Sequence, residues 1–249
     1  MKPRPADRGW LDRKIAFGQN DDYESRTFEE KVADMTDTMV ELHLMSHGLS
    51  IVAFDPGGTT GWSILRLDPA RLLDKTVRPN ATVTRWYHGE IDCGAQSGSA
   101  GTSAIAQGGD LGHSETGEAA GVFLCERLVG LGGRPPGAVV VVEDFILRTQ
   151  TKARDALSPV RVTGGLDQVL WEGKNVPYPL VKQQPSEAKS SVTDERLKLW
   201  GFYDRDSRHA RDADRHALLF LRKVRASRAK MFAAWPLLGE AVRRDLIQL

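Results

Sequence analysis

The stretch IVAFDPGGTTGWSIL, Ile51 to Leu65, restricts the fold more than any other part of the chain. Ile51, Val52, Ala53 and Phe54 form a short continuous apolar run, which predicts a strand buried on both faces. Pro56, Gly57 and Gly58 then supply a tight reversal. Trp62 to Leu67 resume the apolar pattern, so the two runs predict a β-hairpin. Asp55 sits where the inner strand ends. A carboxylate there is costly to desolvate unless it is paired or binds a cation, although an aspartate before Pro-Gly also serves as a plain turn residue.

The remaining chain supplies partners for this hairpin. TVTRWYHGEID, Thr82 to Asp92, alternates like a third strand. Val139 to Val142 form a second continuous apolar run that ends in Glu143 and predicts a strand covered on both faces. YPLVKQQ predicts a fifth strand. Helices are expected at Glu118–Leu131, with Ala120, Phe123, Leu124 and Leu128 inward, and from Ser158 as N-cap with Pro159 in the first turn. A further helix runs from Thr193 as cap to Gly201 as stop. A last helix spans HARDADRHALLFLRKVRA, with Ala213, Ala217, Phe220, Leu221 and Val224 as its apolar stripe. The order β-β-β-α-β-α-β-α-α predicts an α/β protein built on a mixed sheet.

Residues 1–48 read as a separate N-terminal extension. Thr27 and Glu30 fit a capping box, and Val32, Met35, Met39, Leu42 and Met45 recur at helical spacing, which predicts one packed helix. Residues 94–117 carry seven glycines and read as a flexible insertion. Residues 231–249 read as a C-terminal helical tail after a domain spanning 49–230.

With 41% hydrophobic and 27% charged residues the composition is that of an ordinary globular protein. No apolar run approaches a membrane span, and MKPRPADRGW lacks the apolar core of a signal peptide. Cys93 and Cys125 have no metal-ligand spacing and suit reduced thiols, so a cytoplasmic setting is expected. The net charge is only +1, yet residues 205–230 hold nine Lys or Arg against three Asp. Such a segment suits phosphates, or a solvated helix face.

Acidic and imidazole side chains gather at element ends. Asp55 and Glu143 each close a strand, and His209 and Asp212, three apart, share one face of the last helix. Asp214 lies two positions past Asp212, about 200° around the helix, and is expected to point elsewhere. An oxygen-rich pocket of this kind suits Mg²⁺ or Mn²⁺. Two such ions about 3.5–4 Å apart can hold a scissile phosphate. Three readings of the hairpin compete: a turn aspartate, the first phosphate loop of a sugar-kinase or actin-like ATPase, and the first metal carboxylate of a ribonuclease H-like nuclease. The ATPase needs a second Asp-Gly-rich hairpin, which is not found, and leaves Glu143 and the His209/Asp212 pair unused.

The segments IVAFDPGGTTGW, VVVVEDF, VKQQPSEAK and HARDADRHAL resemble, in order and spacing, the motifs of RuvC-type Holliday junction resolvases. The variant is similar to the resolvase-like endonucleases of actinobacterial bacteriophages. The resemblance covers roughly residues 50–225. It implies a ribonuclease H-like mixed five-stranded sheet flanked by helices. It also implies a structure-specific endonuclease that leaves a 5′-phosphate and a 3′-hydroxyl, with Mg²⁺ or Mn²⁺, two ions per site. By this resemblance Asp55, Glu143, His209 and Asp212 are metal ligands and catalytic residues. Lys189 joins them as a catalytic cation, and Lys182, Arg148 and Lys152 join Lys189 as DNA contacts. Branched DNA is the expected partner, and a homodimer the expected assembly. The N-terminal extension, the glycine-rich insertion and Asp144 have no counterpart. A broader branch or flap endonuclease and a non-cleaving branched-DNA-binding protein are the alternatives.

Overall fold

The computed structural model describes residues 28–46, 48–93, 113–132, 137–145, 157–172 and 180–247. Arg148, Lys152 and residues 94–112 of the glycine-rich stretch lie outside them. Five strands form one sheet: β1 (Leu49–Asp55), β2 (Thr59–Leu67), β3 (Val83–Asp92), β4 (Ala138–Glu143) and β5 (Leu180–Gln183). Their order across the sheet is β3-β2-β1-β4-β5. β1 and β2 pair antiparallel as the hairpin requires, β3 pairs antiparallel with β2, and β4 and β5 run parallel to β1. This is the mixed five-stranded α/β sheet expected from the sequence.

Parallel neighbours need crossover connections. Helix α4 (His113–Gly132) leads into β4, and α5 (Ser158–Glu172) leads from β4 towards β5. The two helices cover one face, where Val52, Phe54, Val140 and Val142 meet Val122, Cys125, Val129, Val162, Leu166 and Leu170. The other face carries Leu49, Ile51, Ala53, Val139 and Val141 and is covered by the long helix α8 (Arg208–Arg225). Each fully buried Leu, Ile or Val contributes about 1.5–3 kcal/mol. Short helices fill the remaining space: α3 (Pro69–Leu73), α6 (Pro185–Ser191), α7 (Asp194–Trp200), α9 (Arg228–Ala234) and α10 (Pro236–Arg243). α7 is capped as its sequence demands, by the Thr193 hydroxyl at one end and by Gly201 at φ +82° at the other.

Several expectations change. α4 begins at His113, so residues 113–117 belong to a helix, not to the insertion. Its inward face is also different: Phe123 and Leu124 are exposed, and Val122, Cys125 and Val129 are buried with Gly121 and Gly132. The helix lies so close to the sheet that a Cβ at Gly121 would stand 2.3 Å from Cys93 Sγ, and one at Gly132 2.2 Å from Val52. Small residues face the sheet and larger ones are turned out. Ser158 is the first residue of α5, not the residue before it, and its hydroxyl donates to the buried Glu118 of α4. The N-terminal stripe splits into α1 (Phe28–Ala33) and α2 (Asp37–Ser46), because the Thr36 hydroxyl accepts from Met39 N at 3.3 Å and starts a new helix. Val32 and Val40 pack on Leu237 and Ala241 of α10, whereas Met39, Leu42 and Met45 are exposed. Met231, Trp235 and Leu238, from the expected tail, belong to the main core beneath α8. No helix among the described residues is long and apolar enough to cross a membrane.

Candidate active site

Strand alternation delivers the acidic residues to one place. Successive side chains point to opposite faces, so Asp55 continues the row Leu49, Ile51, Ala53 on the α8 face. Glu143 continues Val139 and Val141, and Gln183 continues Val181, on that same face. Phe54 is aligned with Val142 across β1 and β4, which sets Asp55 and Glu143 at neighbouring strand ends. Glu143 is aligned with Gln183 across β4 and β5.

The start of α8 crosses these ends. Gly61, opposite Asp55 in the hairpin, makes the approach possible: a Cβ there would lie 1.9 Å from the His209 carbonyl oxygen. Glu90, opposite Gly61 on β3, accepts from His209 N at 2.8 Å and from Ala210 N at 3.4 Å. It caps a helix whose own N-cap, Ser207, makes no side-chain cap bond. The spacing of 209, 212 and 216 then aligns His209, Asp212 and His216 along the helix.

His209 Nδ1 and Asp55 Oδ2 are 2.9 Å apart. A carboxylate oxygen only accepts, so the ring nitrogen donates. Burial raises the Asp55 pKa; the His209 hydrogen bond opposes this, and the charges of Glu143 and Asp212 add to it. The bond to Asp55 in turn raises the His209 pKa, against the effect of its partial burial. Glu143 Oε2 accepts from His216 Nε2 at 2.9 Å, and His216 Nδ1 lies 3.1 Å from Gln183 Oε1. Asp212 is held from both sides. Arg215 Nη1 donates to one oxygen, and Lys189 Nζ stands 3.3 Å from the other. Arg215 also pairs with Asp194 and donates to the Val192 carbonyl at 3.1 Å.

Asp55, Glu143, His209, Asp212 and Lys189 thus come together, while among the described residues the candidate Lys182 does not. Lys182 points to the opposite face of the sheet, where Nζ lies 2.9 Å from Asp167 of α5. Its alternation with Gln183 explains this. Asp214 turns away from the cluster, as the helical wheel requires, and accepts from Trp86 Nε1 at 2.7 Å. Asp144 accepts from Gln184 Nε2 at 2.7 Å.

Sequence reading missed His216, Gln183, Arg215, Glu90 and Gly61. His216 carried a signal, since it lies four positions past Asp212. Glu90 carried none, because its role depends on strand register.

Three carboxylates and an imidazole form an oxygen-rich donor set, the chemistry that hard divalent cations favour. Among the described residues no group of three or more His, Cys, Asp or Glu has its ligating atoms gathered for an ion. One Glu143 oxygen is taken up by His216, and each Asp212 oxygen faces a cation.

No family model and no curated protein matches the chain. Among solved structures the chain is similar to T. thermophilus RuvC in complex with a Holliday junction substrate. The identity is 15% and the TM-score 0.44, over 72% of this chain and 97% of that one.

Proposed function

We propose that the chain is a divalent-metal-dependent DNA endonuclease that cuts four-way junctions by paired symmetric nicks. The observation that carries this reading is the meeting of Asp55, Glu143 and Asp212 with His209 at one end of one sheet face. There, burial and neighbouring carboxylates raise the proton affinity of Asp55. The charges of Glu143 and Asp212, which contribute to that rise, would also attract a divalent cation. Bound Mg²⁺ or Mn²⁺ would supply water activation and neutralisation of the leaving oxygen.

The chain's own residues have separable tasks in this reading. Asp55, Glu143 and Asp212 provide the anionic oxygens. Asp55 orients the His209 ring through its 2.9 Å bond. Lys189, half exposed beside Asp212, offers an ammonium to a phosphate oxygen. The four-way junction as substrate rests on the four sequence motifs. A homodimer matches it, because two sites related by a two-fold axis would meet two strands of like polarity.

The test is cleavage of synthetic four-way junctions, flaps and duplexes in Mg²⁺, Mn²⁺, Ca²⁺ and EDTA, with products mapped on denaturing gels. Asp55→Asn and Glu143→Gln are expected to cut more than about 100-fold more slowly while retaining junction binding, since affinity comes mainly from phosphate contacts. Equal cutting of flaps would leave a general branch nuclease. Tight binding with no cutting in either Mg²⁺ or Mn²⁺ would leave a non-cleaving branch binder, and wild-type rates in Asp55→Asn would reduce Asp55 to a turn residue.

A further inference from the structure

We propose that His216 is a positioning residue that holds Glu143 in place for the acidic site, through a relay that begins at Gln183. This rests on the nuclease reading above.

The imidazole is fully buried, at 0% exposure. A polar ring so placed is costly unless both nitrogens find partners. Nε2 lies 2.9 Å from Glu143 Oε2, and a carboxylate oxygen can only accept, so Nε2 carries the hydrogen. Nδ1 faces the side-chain amide of Gln183 at 3.1 Å. With the amide oxygen on that side, Gln183 Nε2 is buried without a partner. The two amide ends differ only in hydrogen-bond assignment. Turned end for end, the amide N–H donates to Nδ1 while Nε2–H donates to Glu143. The result is a directed chain: Gln183 donates to His216, and His216 donates to Glu143. An unpaired carbonyl oxygen is then left in place of an unpaired N–H, the less rare of the two orphans.

Strand register supports this arrangement. Gln183 and Glu143 are aligned across the parallel pair β4–β5 and stand on the face beneath α8. His216 lies over both, one helical turn beyond Asp212. The bond from Nε2 occupies one carboxylate oxygen of Glu143 and leaves the other for the acidic site. A glutamate on a strand end has several rotatable bonds, and a fixed donor behind it limits where the free oxygen points. Partners of this kind behind ligating groups change metal affinity or activity by about 10–100-fold when removed.

The experiment compares His216→Gln, His216→Asn and His216→Leu in the full chain. A glutamine amide nitrogen reaches the position of Nε2, whereas an asparagine reaches only that of Nδ1. Four quantities are read: calorimetric Mn²⁺ affinity without DNA, junction affinity in Ca²⁺, single-turnover cleavage in Mn²⁺, and thermal unfolding. His216→Gln should stay within about tenfold of wild type in Mn²⁺ affinity and rate. His216→Asn and His216→Leu should lose about 10–100-fold in both, with junction affinity unchanged. Wild-type Mn²⁺ affinity and rate in His216→Asn would overturn the relay, as would equal losses in Gln and Asn that follow the unfolding temperature. If no His216 variant folds, Gln183→Leu carries the test: weaker Mn²⁺ affinity at unchanged junction affinity supports the relay, and wild-type values for both overturn it. Should the wild-type chain neither bind Mn²⁺ nor cut, the nuclease reading itself fails, which is a separate result.

Discussion

Asp212 and Asp214 stand two positions apart on α8 and have opposite surroundings. Asp212 meets two cations at the site. Asp214 is fully buried and accepts from Trp86 and from His88 Nδ1, the latter at 2.8 Å. The hydrogen bond to Asp214 holds the His88 pKa above the usual imidazole value of 6.5, with burial opposing it and the charge of Asp204 assisting. A raised folded-state pKa means that the native protein binds this proton more tightly than the unfolded chain does. The stabilisation is complete below 6.5 and is lost as pH rises through the folded value. Urea midpoints are therefore expected to fall as pH rises above 6.5, with a shallower slope in His88→Asn. A slope identical in both proteins would remove His88 from the account. At this scale the sequence was readable where a charged side chain closes an element. Asp55 and Glu143 interrupt apolar runs, and Asp212 and Asp214 separate on the helical wheel. Glu90 and Gly61 were not readable, because each acts through a cross-strand neighbour that only the register reveals.

Elements here approach each other through glycine. α8 rests on β2 at Gly61, and α4 rests on β1 at Gly132 and on Cys93, just past β3, at Gly121. Reading α4 by hydrophobicity favoured Phe123 and Leu124 as its inner face, since glycine contributes nothing to such a pattern. The closest packing was therefore the least legible. α8, by contrast, was read correctly, because its alanines and large aliphatic residues share one stripe. Gly61→Ala is the direct test of the α8 contact. The added carbon would meet the His209 backbone, so the helix start must move away from Asp55. Overpacking of this sort costs about 1–3 kcal/mol. A displacement on the ångström scale lowers cleavage by about 100-fold. On the nuclease reading, the expected outcome is a modestly destabilised, junction-binding protein with little cleavage; full activity would show that the close approach is dispensable.

Across the whole molecule, the segment that follows α8 is part of the core. The Trp235 ring is fully buried and packs edge-on to Phe220 of α8 at 6.0 Å. Its indole N–H donates to the Ser50 carbonyl at the start of β1, at 3.3 Å. The C-terminal helices are thereby joined to the first strand of the sheet and, through Leu237 and Ala241, to the N-terminal helices. Trp235→Ala is expected to lower unfolding free energy by about 3–5 kcal/mol in denaturant titrations. Leu124→Ala, on the exposed side of α4, should leave it nearly unchanged. An equal effect at both positions would contradict this division of core and surface. The strand count and mixed sheet were legible because apolar runs and turn residues alternate so regularly. The joining of the chain's two end regions was not, since α1, α2 and α10 each show only a partial apolar face.

The partners that build the candidate site are far apart along the chain. Asp55 and His209 are separated by 154 positions, and Glu143 and His216 by 73. At roughly 5–20 residues per second, a ribosome needs about 8–30 s to travel from the first of these to the last. Throughout that interval the growing polypeptide carries Asp55 without the helix that completes its surroundings. On the nuclease reading, the order of synthesis withholds two of the four proposed ligands, His209 and Asp212, until α8 has been made.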